Sequence, residues 1–226
     1  MNIIRVMTVF GTRPEAIKLA PVIQQLEKDP RFKSIVVVTA QHREMLDQVL
    51  DLFKIKPDHD LNLMRDDQSL ASLTAAIITH LDPVLEKFKP DWLLIQGDTT
   101  TVMAAALTAF YHHIKVGHVE AGLRTWDKWQ PFPEEINRQV AGVIADLHFA
   151  PTEWAKNNLL REGIDEQIIK VTGNTIIDAL SQITTLPMPK NISTLLREKS
   201  ILENGKRLIF VTAHRRENFG EPIQSI

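Results

Sequence analysis

The sequence predicts an α/β protein built on a doubly wound parallel sheet, and three observations carry that expectation. Short apolar runs rich in β-branched residues alternate with longer amphipathic stretches, the pattern of successive βαβ units. Gly11, Gly97, Gly117 and Gly122 lie beside the ends of these runs, with Asp98 and Glu120 at or near them. The chain of 226 residues is 44% hydrophobic and 24% charged, enough apolar material to bury a real core.

In chain order, Ile3–Phe10 reads as a first strand, and Pro14 starts a helix to about Lys28. Ser34–Thr39 is a second strand, followed by a helical stretch from His42 to Phe53. From Ser69 to Phe88 the apolar residues Leu70, Leu73, Ile77, Leu81 and Leu85 recur close to helical period. Trp92–Gln96 is a buried-type strand, Thr100–His112 an Ala-rich helix and Lys115–Val119 another short strand. Glu134–Ala145, Leu147–Ala150 and Glu153–Glu162 read as helix, strand and helix, then Ile168–Val171 as strand and Asn174–Ile183 as helix. Thr184–Asn191 is rich in breakers and suits a linker. Arg207–Thr212 is a strong new strand, taken as the first of a second domain that looks truncated at Ile226. The expected division is residues 1–172 as the first domain and 173–226 as the hinge and the beginning of the second.

Composition narrows the function classes. Lys and Arg total 26 against 28 Asp and Glu, a formal net charge of -2, and no basic run occurs. Neither nucleic acid nor an anionic membrane is an expected partner. Cys is absent, which removes disulfides, thiolate catalysis and Cys-ligated zinc. Ile3–Phe10 is too short for a signal peptide or span and no later apolar run reaches spanning length, so the expected compartment is the cytoplasm.

Ligands of open parallel sheets bind outside the carboxyl ends of strands, so the residues there are the candidates for chemistry. The first such turn, Gly11–Glu15, puts free helix-start amides beside Arg13 and Lys18, an anion site or else a tight turn with Arg13 solvated. It lacks G-x-G-x-x-G, so the dinucleotide fingerprint is missing from its expected place. Asp98 is either the N-cap of the following helix or a carboxylate directed into the cleft. His118 and Glu120 would share a strand face by alternation, and Glu120 is either functional or paired with Arg124. Two such groups do not define a metal site, and no metal is expected. Glu134 and Glu135 open a helix, where the macrodipole alone accounts for acids. His214, beside Arg215 and Arg216, is a titratable donor in a positive setting or part of a surface basic turn.

Taken together, the segments resemble the non-hydrolysing UDP-N-acetylglucosamine 2-epimerase family. The matching words are FGTRPEAIKLAP (Phe10–Pro21), TAQHREMLDQVL (Thr39–Leu50), GDTTT (Gly97–Thr101) and GHVEAGLRT (Gly117–Thr125). PEEINR (Pro133–Arg138), TGN (Thr172–Asn174) and HRRENFG (His214–Gly220) complete a set that runs in family order. The resemblance implies a GT-B-like pair of Rossmann-like domains, the second incomplete here, facing each other across a cleft that holds UDP-N-acetylglucosamine. It implies Asp98, Glu120 and Glu134 as catalytic carboxylates, His214 as a nucleotide-side residue that helps the leaving group, and Arg13 and Lys18 as diphosphate contacts. The implied reaction is reversible C2 epimerisation through elimination and re-addition of UDP, with no cofactor. A homodimer and a place in cell-surface polysaccharide biosynthesis are implied as well. The rival readings are a hydrolysing epimerase that releases N-acetylmannosamine, a GT-B glycosyltransferase, or a non-catalytic remnant that binds nucleotide or a subunit. The 226-residue chain alone is expected to be inactive. Asp66–Asp67 departs from the family pattern in a segment that, with Gln41 and His42, lies near an allosteric UDP-N-acetylglucosamine site in some relatives.

Overall fold

The computed structural model describes residues 3–39, 43–63, 65, 67–199, 201 and 209. The elements are β1 (Ile4–Phe10), α1 (Arg13–Lys28), β2 (Phe32–Val38), α2 (Arg43–Phe53), β3 (His59–Asp60) and α3 (Leu70–Phe88). Then follow β4 (Trp92–Gln96), α4 (Thr100–Tyr111), β5 (Lys115–Val119), α5 (Glu134–Ile144), β6 (Leu147–Ala150) and α6 (Glu153–Arg161). A 3-10 turn at Glu166–Ile168 leads to β7 (Ile169–Val171), α7 (Ile176–Thr184) and α8 (Lys190–Glu198).

The strands form one seven-stranded sheet in the order β3-β2-β1-β4-β5-β6-β7, and every pairing is parallel. The chain winds one way from β1 to β3 and then returns to the other side of β1 through β4. This is the doubly wound arrangement, with its reversal point between β1 and β4.

Strand alternation sorts the core into two layers. Met7, Val9, Ile35, Val37, Leu93 and Ile95 meet apolar residues of α3, α4 and α5 on one face. Phe10, Val36 and Val38 meet α1, α2 and Ala179 of α7 on the other. Ala104, Ala105, Ala106 and Ala109 leave no exposed surface, so the small residues of α4 let it lie close against the sheet and its neighbouring helices.

Helix starts follow local chemistry. Ser69, Thr99 and Thr152 cap α3, α4 and α6, each accepting a backbone N–H from three residues on. Arg13 is the first residue of α1 and Pro14 the second, one place later than the sequence suggested.

Two compact units divide the chain, Met1–Ile183 and Thr184–Ile226. The first runs past Thr172 because Ala179 of α7 is buried in the second core layer. In the second unit α8 forms from Lys190, directly after Pro189, where a linker was expected to run on to Asn191. The expected strand Arg207–Thr212 lies outside the described residues except for Ile209.

Candidate active site

The chemistry-bearing residues gather at the carboxyl ends of β4 and β5. After Gln96 the chain turns through Gly97 at a φ of +82°, a left-handed value that glycine adopts without strain. Thr99 then caps α4 by accepting the Val102 N–H at 3.3 Å. The cap is therefore Thr99, which removes the capping reading of Asp98 and leaves its carboxylate to other partners.

Those partners come from α5. The Asp98 carboxylate meets the Arg138 guanidinium at 3.0 Å, and the Asp98 carbonyl accepts from Asn137 Nδ2 at 3.0 Å. His118 Nε2 donates to the neighbouring Gly97 carbonyl at 2.7 Å, so the loop is fixed from β5 as well. Burial pushes the Asp98 carboxyl above its ordinary value, Arg138 draws it back, and the Glu134 and Glu120 carboxylates push it up again. Lys18 also acts on it, so Asp98, Glu120, Glu134, Lys18 and Arg138 share one electrostatic neighbourhood.

Glu120 follows the last residue of β5 at a φ of +64°. A non-glycine residue in this region costs on the order of 1 kcal/mol, so surrounding bonds must hold it there. They do. Lys18 Nζ donates to both carboxylate oxygens at 2.7 and 2.5 Å, Gln96 Nε2 to one at 2.6 Å and Asn174 Nδ2 to the other at 2.7 Å. The alternative pairing of Glu120 with Arg124 does not form. Arg124 is buried and takes Glu162 through two bonds of 2.7 Å. Glu120 lies one residue past β5 with left-handed backbone, and His118 is buried against the Gly97 carbonyl.

The two acids that open α5 have different tasks. Glu135 is fully buried and accepts the amides of Thr125 and Trp126 at 3.1 and 3.2 Å, which fastens the 121–133 loop. Glu134, half-buried, is the one that acts electrostatically on Asp98.

At α1, the Gly11 and Thr12 amides offered to an anion by the sequence are occupied by the Glu15 carboxylate, at 3.1 and 2.7 Å. Arg13 is exposed and makes no ion pair among the described residues. Lys18 lies against Glu120. His214, like Gln41, His42 and Asp66, falls outside the described residues. Sequence reasoning missed Gln96, Arg138 and Asn174. Each left a trace: a Gln ending the apolar run WLLIQ, an Arg one helical turn after Glu134, and the last residue of the TGN word.

This arrangement brings three carboxylates into one electrostatic neighbourhood with two cations, Lys18 and Arg138. That suits proton transfer at carbon beside a centre developing positive charge. The sequence model of the family described as UDP-N-acetylglucosamine 2-epimerase matches residues 24–226. The chain belongs to that family. The UDP-N-acetylglucosamine 2-epimerase of Yersinia pestis is 55% identical over 224 residues, which are 98% of this chain and 60% of that protein. The crystal structure of the Neisseria meningitidis UDP-GlcNAc 2-epimerase bound to UDP-GlcNAc is 53% identical, with a TM-score of 0.90 over 99% of this chain and 60% of that one. The Methanocaldococcus jannaschii UDP-GlcNAc 2-epimerase in complex with UDP-GlcNAc and UDP is 40% identical. Its TM-score is 0.80 over 86% of this chain and 54% of that one. The chain thus spans about 60% of the length of the curated epimerases it matches.

Proposed function

We propose that the protein interconverts UDP-N-acetylglucosamine and UDP-N-acetylmannosamine without hydrolysis. The observation that carries this reading is the gathering of Asp98, Glu120 and Glu134 around Lys18 and Arg138 at the strand ends. The hydrogen at C2 of the sugar is not acidic, because its neighbour bears an acetamido nitrogen and no carbonyl. Its removal must accompany departure of UDP from C1.

In the forward elimination a carboxylate takes the C2 proton and the C2–H electron pair becomes the C1–C2 double bond. The C1–O pair leaves with UDP. The glycal and UDP stay bound. A proton then returns to C2 from the opposite face, and a UDP oxygen bonds to C1. Two faces require two proton-transfer groups, and a neighbouring carboxylate stabilises the positive charge that builds at C1. A carboxyl raised by burial, as at Asp98, is suited to giving a proton back as well as taking one. Glu120, bonded on both oxygens, is held in a fixed position. Family resemblance assigns His214 and Arg13 to the leaving diphosphate. A cytoplasmic homodimer that feeds cell-surface polysaccharide synthesis belongs to the same reading. No helix among the described residues is long and apolar enough to cross a membrane.

The test takes a form of the protein extended to the length of its relatives and incubates it with UDP-N-acetylglucosamine in D2O, with C2 followed by NMR. The expected result is deuterium at C2 of UDP-N-acetylmannosamine and, at equilibrium, of recovered substrate. Product that keeps the original hydrogen, or N-acetylmannosamine released free alongside UDP, rejects the proposal.

A further inference from the structure

The reversal point between β1 and β4 is where a doubly wound sheet opens a crevice for its ligand, and phosphate is held there by helix-start amides. In this chain that crevice is already filled from within. Glu15 is 2% exposed. One of its carboxylate oxygens accepts the Gly11 and Thr12 amides at 3.1 and 2.7 Å, and the other accepts the Thr99 hydroxyl at 2.8 Å.

An ordinary capping glutamate takes the N-cap amide alone. Glu15 also takes the amide of Gly11, in the turn before the helix. It then reaches across to the cap of α4 and joins the β1–α1 turn to the loop that carries Asp98. Burial pushes its carboxyl up, while the Thr12, Thr99 and Gly11 hydrogen bonds pull it back. The amides are real donors at the positive end of a helix, and a negative group sits on them.

We infer that Glu15 is a built-in anion that occupies the phosphate position of the first βα turn and closes the β1/β4 crevice to phosphate groups. Glu15 is on this account a specificity-determining residue: it keeps the diphosphate of a nucleotide sugar off the turn, so that any phosphate contact from α1 comes from an exposed side chain such as Arg13. The inference deepens the proposed function, but its test measures no turnover, so failure of either is separable from failure of the other.

If a fixed carboxylate fills an anion site, removing it should leave a site that a free anion can fill. The experiment uses the whole 226-residue chain, unaltered and with Glu15→Ala, at pH 8 and constant ionic strength held with sodium chloride. Inorganic phosphate and formate are the probes, and thermal unfolding and 15N amide shifts are the readouts. For Glu15→Ala, phosphate at roughly tenfold its dissociation constant should raise Tm by about 3–6 °C. The Gly11 and Thr12 amides should shift saturably. In the unaltered chain Tm should move by less than about 1 °C, and those amides should stay in place. A variant that is unfolded without the probe still reports, because phosphate or formate should then restore its dispersed spectrum. A Glu15→Ala chain that responds to neither anion beyond the unaltered chain overturns the inference. Saturable movement of the Gly11 and Thr12 amides by phosphate in the unaltered chain overturns it equally.

Discussion

His118 and His148 are register partners on β5 and β6, both buried, and both imidazoles are held down to about 4. Burial is the main cause at each, and nearby Arg124 adds to it at both. A histidine near 6.5 in the unfolded chain and near 4 in the folded one binds fewer protons when folded. Stability therefore falls as pH drops through 6.5, and the loss levels off only below about 4. Between pH 7.5 and 5.0 the linkage amounts to about 2 kcal/mol for each histidine. For the pair that is roughly 4 kcal/mol against a typical total of about 5–15 kcal/mol. The informative variant is His118→Gln, whose amide N–H can still donate to the Gly97 carbonyl but does not titrate. Urea unfolding followed by tryptophan fluorescence at the two pH values isolates the effect, because contributions from every other group cancel in the comparison. The unaltered chain should lose about 2 kcal/mol more than His118→Gln on acidification. Equal losses in the two proteins would refute the assignment of a buried neutral imidazole at His118.

Three further outcomes follow from the geometry. Asp98→Asn keeps the size of the side chain and leaves the Thr99 cap in place. In a form extended to the length of the relatives, UDP-N-acetylglucosamine turnover should fall by about 10²-fold or more while Tm moves by only a few degrees, and near-normal turnover would show that the Asp98 charge is dispensable. Gly122→Ala should cost on the order of 3 kcal/mol in urea unfolding. The added methyl would collide with the Ala155 carbonyl at a φ of +88°, and a cost below about 1 kcal/mol would mean the turn can relax. Glu135→Gln should lower stability by about 1–3 kcal/mol and leave the Thr125 and Trp126 amides faster in hydrogen exchange, since an amide replaces the charge that both donors share; unchanged exchange would contradict that clamp.

Much of the fold was readable because its signals are local. Apolar runs ending near glycine located β1, β4 and β5 within a residue, and the helical spacing of apolar residues located α3. β3 escaped because two residues carry no periodicity, and α8 because its breakers lie immediately before it. In the site, Asp98, Glu120 and Glu134 were visible as acids at strand ends or at a helix start. Their partners were not, because partner choice is a tertiary matter. Arg124 stands close to Glu120 in sequence yet binds Glu162, while the donors to Glu120 come from α1, β4 and the segment before α7. The capping choice between Asp98 and Thr99 turns on one backbone position, which spacing does not resolve. Glu15 was passed over for a related reason: helix-start amides look open in sequence whenever the group that fills them is itself a helical residue.

The strand order also has a consequence for synthesis. β1 emerges first from the ribosome and can pair with β2 at once, but its other neighbour is β4. Until Gln96 has cleared the exit tunnel, β1 presents an open edge and the apolar side chains Met7 and Val9 to whatever is nearby, a state that chaperones exist to shield. Glu120 waits longer still. Its last donor, Asn174, arrives only after β6 and β7 have extended the sheet, so the carboxylate cluster matures as one of the final events in assembly of the first unit.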